Sequence, residues 1–293
     1  LDLAADCAGD RPALGRRADG IDFAAYRQCA QALASALGTT GNSERNIAFV
    51  GINGEAFALL LFAAGLSDKS FVPINYRLPD ADLAKLVART APSVAVIDDD
   101  MIARVGTPEG VRIVPRSSID ALIVQRDACD ACGCDEANDV AAMLFTSGTT
   151  GEPKAAIMRH ANLTSYVMGT VELLGAEEGE VALISVPPYH IAAISAVLSS
   201  CYAGRRIVYL PAFTPEDWVA MARDEGVTHA MVVPTMLDRI LEVLEANGET
   251  LPSLKALSYG GGRMPEPVIA RALAVRPHVG FVNACGLTAT SPT

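Results

Sequence analysis

Positive charge is scarce in this sequence. Lys and Arg total 23 against 34 Asp and Glu, a formal net charge of −11 with a pI near 4.8. That balance removes the basic footprint that nucleic acid or an anionic membrane surface demands, so any phosphate bound here must be held locally. Long apolar runs are missing too. The longest, Ala56 to Leu66, falls well short of the roughly 20 residues needed to cross a bilayer and reads as a buried helix. The chain starts at Leu1 with no basic stretch leading into an apolar segment, so neither signal peptide nor anchor is visible and a cytoplasmic location is expected. No Gly-Lys dipeptide occurs, which excludes the usual P-loop fingerprint, and no G-x-S-x-G elbow occurs, which argues against a hydrolase on an α/β sheet.

A disulfide framework is also lacking. The seven cysteines are an odd number, and Cys7, Cys29, Cys201 and Cys285 lie alone, as reduced thiols do. Cys129, Cys132 and Cys134 have C-x-x-C-x-C spacing, but a closed zinc site wants four ligands. The neighbours Asp127, Asp130, Asp135 and Glu136 point instead to a solvated loop.

What is present is a globular composition, 51% hydrophobic and 19% charged, in a chain long enough for two core-forming units. Short Val-, Ile- and Ala-rich runs alternate with stretches of helical period, the mark of βα units and mostly parallel sheets flanked by helices. The pattern predicts helices over Phe23–Leu37 (capped by Asp22), Glu55–Gly65 and Pro79–Arg89, the last with its proline in the first turn. It predicts strands at Asn46–Gly51, Ser70–Ile74, Val94–Ile97, Val140–Phe145, Val181–Ser185, Arg206–Leu210, His229–Val233, Ala256–Tyr259 and Gly280–Asn283. Periodicity weakens from Asp98 to Asn138, which places a division between two α/β subdomains near residue 137, giving 1–137 and 138–293.

The segment LFTSGTTGEPK, ending at Lys154, joins an apolar strand to a run of hydroxyls and glycines. Gly148 and Gly151 let the backbone take positive φ, so that consecutive N–H groups can converge on an anion. Thr146, Ser147, Thr149 and Thr150 add hydroxyl donors, Lys154 adds a point charge, and Pro153 restricts the loop. An ordinary Gly/Ser/Thr turn has the same composition. At Tyr259 to Pro265 three glycines, Gly260, Gly261 and Gly262, follow a strand; position 265 is Pro, so G-x-G-x-x-G is not met and a dinucleotide site is not expected.

FTSGTTGEPK, Phe145 to Lys154, resembles the signature loop of the adenylate-forming superfamily, which includes acyl- and aryl-CoA synthetases. NYRLP at Asn75–Pro79, PPYH at Pro187–His190, VVPTML at Val232–Leu237, SYGGGRMP at Ser258–Pro265 and NACGLTAT at Asn283–Thr290 follow in the family's order, so the resemblance covers nearly the whole chain. It implies the large N-terminal domain of that fold, with an ATP- and Mg2+-dependent activation of a small carboxylic acid and coenzyme A as co-substrate. Lys154, Thr288 and His190 would carry the chemistry. Thr146, Ser147, Gly148, Thr149, Thr150, Gly151 and Lys154 would hold the phosphates, with Gly260, Gly261, Gly262, Asn283, Cys285, Gly286 and Thr288 around the rest of the nucleotide. His190, Ile191, Ala192, Ser195, Val233, Pro234 and Tyr259 would line the acyl pocket. An aspartate for the ribose, a hinge and a lid with a catalytic lysine have no counterpart in the 293 residues.

Two positions depart from the pattern. Cys285 stands where an aromatic usually packs on adenine, and Ala289 stands where a Glu helps to hold magnesium, so no metal-binding residue is assigned. Related ligases that pass the acyl group to an amine, another small nucleophile or a carrier protein remain open, as does a nucleotide-binding pseudoenzyme. A homodimer is compatible with all of these. Magnesium wants oxygen ligands. Ala289→Glu should therefore tighten magnesium-dependent ATP binding, and a titration unchanged by the substitution would remove the carboxylate argument.

Overall fold

The computed structural model describes residues 1–38, 43–125, 138–146 and 152–284. The chain opens with α1 (Asp2–Ala8), β1 (Pro12–Leu14), β2 (Ile21–Asp22) and α2 (Phe23–Leu37). It continues through β3 (Asn46–Val50), α3 (Glu55–Leu66), β4 (Ser70–Pro73), α4 (Asp80–Ala88) and β5 (Ser93–Ile97). Next come α5 (Ile102–Val105), β6 (Val111–Pro115), α6 (Arg116–Gln125), β7 (Val140–Thr146) and β8 (Lys154–Arg159). The second half runs α7 (His160–Thr170), β9 (Val181–Ile184), α8 (Ile191–Ala203), β10 (Arg206–Tyr209), α9 (Pro215–Asp224) and β11 (His229–Val232). It ends with α10 (Pro234–Asn247), β12 (Ala256–Gly260), α11 (Glu266–Val275) and β13 (Gly280–Ala284).

Two sheets result. One has seven strands in the order β13-β12-β11-β9-β10-β1-β2, the other six in the order β6-β5-β3-β4-β7-β8. All pairs are parallel except the terminal hairpins, β1 with β2 and β7 with β8. The α/β architecture with parallel sheets is as the βα alternation predicts. Sheet membership does not divide at residue 137: β7 and β8 extend the sheet of β3 to β6, while β1 and β2 join the sheet of β9 to β13. The stretch after Asp98, which carries weak periodicity, nevertheless forms α5, β6 and α6; β6 is an edge strand with every residue half-buried, so it shows no alternation. Pro79 sits one residue outside its helix, at the N-cap, because its ψ of 149° is extended.

Helix α3 explains how the sheets stack. Ala56 to Leu61, Ala63 and Ala64 are all buried, and a helix apolar on every side must be covered on every side. It packs with α2 and α8 in one apolar cluster that takes Ile47, Phe49 and Phe71 from the six-stranded sheet and Ile184 and Ile207 from the seven-stranded one. Phe57 meets Phe49 and Phe71 edge-on, with ring centroids 6.0 and 5.3 Å away. Among the described residues no helix is long and apolar enough to cross a membrane.

A buried ion pair ties the N-terminal hairpin to this body. Arg206, at the start of β10, donates to Glu225 at 2.7 Å and to the Gly15 carbonyl at 3.0 Å, while the Arg17 backbone N–H donates to the same Glu225 carboxylate at 3.0 Å. Burial pushes the Glu225 pKa up, but the bonds from Arg206 and Arg17 outweigh it and leave the group below its ordinary value. A lowered carboxylate pKa contributes stability above the unfolded value, about 4.3 for Glu, and that contribution disappears as pH falls through the folded value. Glu225→Ala should cost about 3–5 kcal/mol in urea unfolding at pH 7, since Arg206 is left buried without its counter-ion. Glu225→Gln should flatten the loss of stability below about pH 4.3. Wild-type acid sensitivity in that variant would show that the pair is not what titrates.

Candidate active site

In the seven-stranded sheet β9 has β10 on one side and β11 on the other, so the chain leaves β9 and β11 in opposite directions. Such reversals open a crevice at the carboxyl ends of the strands. A cavity of about 690 Å³ lies there. Ser185, just past β9, lines it and accepts from the indole N–H of the fully buried Trp218 at 3.1 Å, while its own hydroxyl donates to the Met231 carbonyl at 3.4 Å. These bonds tie the ends of β9 and β11 to α9.

His190 ends the Pro187–Tyr189 turn and is the extended N-cap residue of α8. Its ring lies 4.7 Å from that of Tyr189, which meets Tyr76 at 5.9 Å, and the Arg77 guanidinium sits 5.6 Å from the Tyr76 ring. Desolvation in the cavity, followed by the positive charge of Arg77, lowers the His190 pKa, although solvent still reaches the ring. The shift favours the neutral imidazole, which can donate one hydrogen bond and accept another.

Ile191, Ala192 and Val233 share this cavity with His190. Three other expected members do not. Ser195, one turn further along α8, is buried in the helix packing, and Pro234 is the first residue of α10, outside the lining. Tyr259 pairs with Asn283 across β12 and β13, and both line an adjoining cavity of about 580 Å³. The two cavities share Gly261 and Ala284. A Cβ on Gly260 would lie 2.3 Å from the Ala284 carbonyl, and Gly261 has φ +78, so both positions require glycine. Gly262 lines the Tyr259 side, where a Cβ would meet nothing closer than 4.0 Å.

Of the phosphate-loop residues, the structure describes the two ends. Thr146 closes β7, Lys154 opens β8, and the two face each other in register, with the Thr146 hydroxyl donating to the Lys154 carbonyl at 3.3 Å. Lys154 is exposed. Ser147 to Gly151, Cys285, Gly286, Thr288 and Ala289 lie outside the described residues, as do Cys129, Cys132 and Cys134. Among the described residues no group of three or more His, Cys, Asp or Glu side chains could hold a metal ion.

Sequence reasoning missed several lining residues. Asn53 reaches in from the turn after β3; Phe213, Met236 and Arg239 come from beyond β10 and from α10; Tyr76 and Arg77 lie inside the NYRLP segment without having been given a role. It also missed Arg89, at the end of α4, which donates to the Pro153 carbonyl at 2.8 Å and stacks 5.0 Å from the Phe145 ring. Arg89 thus clamps both ends of the loop that the hydroxyls and glycines occupy.

The family described as AMP-binding enzyme matches residues 1–293. The chain belongs to that family. It is 30% identical over 249 residues to a feruloyl-CoA synthase of Amycolatopsis sp, covering 84% of this chain and 50% of that protein. It is 28% identical over 259 residues to a fatty acid–[acyl-carrier-protein] ligase, ScoC, of Streptomyces coeruleorubidus, covering 84% and 49%. It thus spans about half the length of these relatives. The AMP-binding fold recurs in the N-terminal domain of FACL13 from Mycobacterium tuberculosis, with a TM-score of 0.85 at 22% identity over 98% of this chain and 74% of that one.

Arg89 is exposed, so its bond and stack together should be worth about 1 kcal/mol. Arg89→Ala should weaken ATP binding by about fivefold in calorimetric titration while leaving thermal unfolding nearly unchanged. Unaltered affinity would mean that the clamp does not set the loop.

Proposed function

We propose that the protein to which this chain belongs activates a carboxylic acid with ATP. An oxygen of the carboxylate forms a bond to the α-phosphorus while the α–β phosphoanhydride bond breaks, giving an acyl-adenylate and pyrophosphate. A thiol, that of coenzyme A, then attacks the acyl carbon and AMP departs. Membership of the AMP-binding family supports the nucleotide half of this reading. The observation that carries the acid half is the cavity at the β9/β11 reversal, which joins the Gly260–Gly261 turn to His190.

The chemistry asks the protein chiefly for in-line placement and for charge stabilisation on phosphoryl oxygens. In this reading the Thr146–Lys154 loop holds the outer phosphates, with Arg89 as its clamp. Asn283 and Tyr259 face the base in the adjoining cavity, while the Gly260–Gly261 turn lets backbone come close to the nucleotide. Thr288 contacts the α-phosphate, and neutral His190 meets the carboxylate as a hydrogen-bond donor without a competing charge. Magnesium would screen the phosphates when bound.

The acceptor is the open half of the proposal. ScoC's name couples a fatty acid to an acyl-carrier protein, so a carrier thiol is a second reading. In the full-length protein, acid-dependent exchange of labelled pyrophosphate into ATP should be detectable. Lys154→Ala and Thr149→Ala should each slow it by at least tenfold, a loss of about 1.4 kcal/mol of transition-state stabilisation. Wild-type exchange in both variants would refute the loop assignment, and pyrophosphate release with no dependence on added acid would favour a nucleotide-binding protein without ligase activity.

A further inference from the structure

The wall of the large cavity follows the strand order of the seven-stranded sheet. Gly260 ends β12 and Gly261 follows it, Val233 stands past β11, Ser185 to Pro187, Tyr189 and His190 past β9, and Pro211 to Phe213 past β10. Three strand steps separate the glycine turn from Phe213, about 14 Å at the usual spacing. The nucleotide reading belongs to the glycine end, so the opposite end must face whatever the acid carries away from its reacting carboxyl.

The charge of the cavity lining is one-sided. Arg77 and Arg239 line the cavity, and none of its lining residues is Asp or Glu, in a chain whose net charge is −11. Among the described residues neither guanidinium has a carboxylate within 4.0 Å, whereas Arg104, Arg112, Arg116, Arg205, Arg206, and Arg271 are all paired. An arginine on a helix surface is usually just solvated. Arg239 differs because it lies 5.7 Å from the Phe213 ring in the cavity wall. A guanidinium held over an aromatic ring keeps N–H donors that can form paired hydrogen bonds with a carboxylate. Met236, one turn earlier on the same helix, gives the adjoining wall an apolar surface that suits a hydrocarbon spacer.

From this arrangement we infer that the acid is a dicarboxylic acid, its second carboxylate held by Arg239 at the end of the cavity away from the glycine turn. The inference rests on the acid-activating reading above and names Arg239 as the residue that discriminates among acids. Arg77, beside the Tyr76 ring, adds positive potential to the same cavity and disfavours cationic acids.

The test measures acid-dependent pyrophosphate exchange by the full-length protein with succinate, glutarate, adipate and terephthalate, each beside its monomethyl ester. The expected result is a kcat/KM at least tenfold higher for at least one diacid than for its half-ester. Arg239→Gln should lower that ratio about tenfold and Arg239→Lys less, with the loss in KM for the diacid. Taking the ratio within each variant cancels any loss of folded protein. Half-esters used as well as diacids, or an unchanged ratio in Arg239→Gln, would overturn the inference while leaving acid activation standing. A raised KM for ATP with every acid would assign the guanidinium to the nucleotide and overturn it equally. Exchange with no acid of either kind would sink the acid-activating reading itself, a result distinct from the others.

Discussion

A helix that is apolar all round cannot lie on a surface, and the rest of the molecule follows from where α3 must go. Its eight buried residues are covered by α2 and α8 together with side chains of both sheets, which brings two separately formed parallel sheets into one stack. Once they share α3, the turn that starts the helix arrives at the carboxyl edge of the other sheet. Asn53 in that turn is buried and donates to the carbonyls of Val186 at 2.9 Å and Leu210 at 3.4 Å, beyond β9 and β10. A buried amide of this kind costs free energy unless it is bonded, so its bonds hold the two edges in one relation. The cavity wall therefore combines residues from both sheets.

Each sheet has a reversal of winding, but the two are furnished differently. In the six-stranded sheet it falls between β3 and β5, where Asp98 accepts from the Ile52 N–H at 2.8 Å and from Arg116 at 3.2 Å. That crevice is lined mainly by carboxylates, Glu55, Asp98, Asp99, Asp100 and Asp120 against Arg16 and Arg116. In the seven-stranded sheet the reversal between β9 and β11 carries Ser185, tied to Trp218, and opens into the large cavity, where the arginines are unmatched. The same topology thus gives one crevice lined mainly by carboxylates and one whose charged lining is arginine alone.

Local periodicity made most elements legible, because a βα unit writes its own pattern into consecutive residues. Pairing between distant strands is not written there. Nothing in Val140–Thr146 says that it lies beside β4, or in Pro12–Leu14 that it lies beside β10, so the sheets could not be separated by a single cut along the chain. The same limit governed the site. His190, Ile191 and Ala192 are adjacent in sequence and fall together, whereas Tyr259 lies apart from them, because successive residues of a strand point to opposite faces and its own face leads to Asn283. Arg89, Asn53, Phe213 and Arg239 carry no motif of their own. Their roles exist only once the chain has brought Arg89 to Pro153, and Arg239 to Phe213.

The opposition between a strongly acidic chain and a cationic cavity is resolved by range. At physiological ionic strength the Debye length is about 8 Å, so the diffuse net charge is largely screened at the distances from which a small anion approaches. Inside the cavity, low-dielectric walls reduce that screening, and what an incoming anion meets is set by the few charges that line it. Those are Arg77 and Arg239, with a neutral His190 between the glycine turn and the Phe213 end. A protonated histidine there would add attraction for every anion alike, including both substrates of the proposed reaction. Keeping it neutral confines the positive charge to two guanidiniums, each fixed by an aromatic ring, and so converts a general affinity for anions into a preference for where each carboxylate sits.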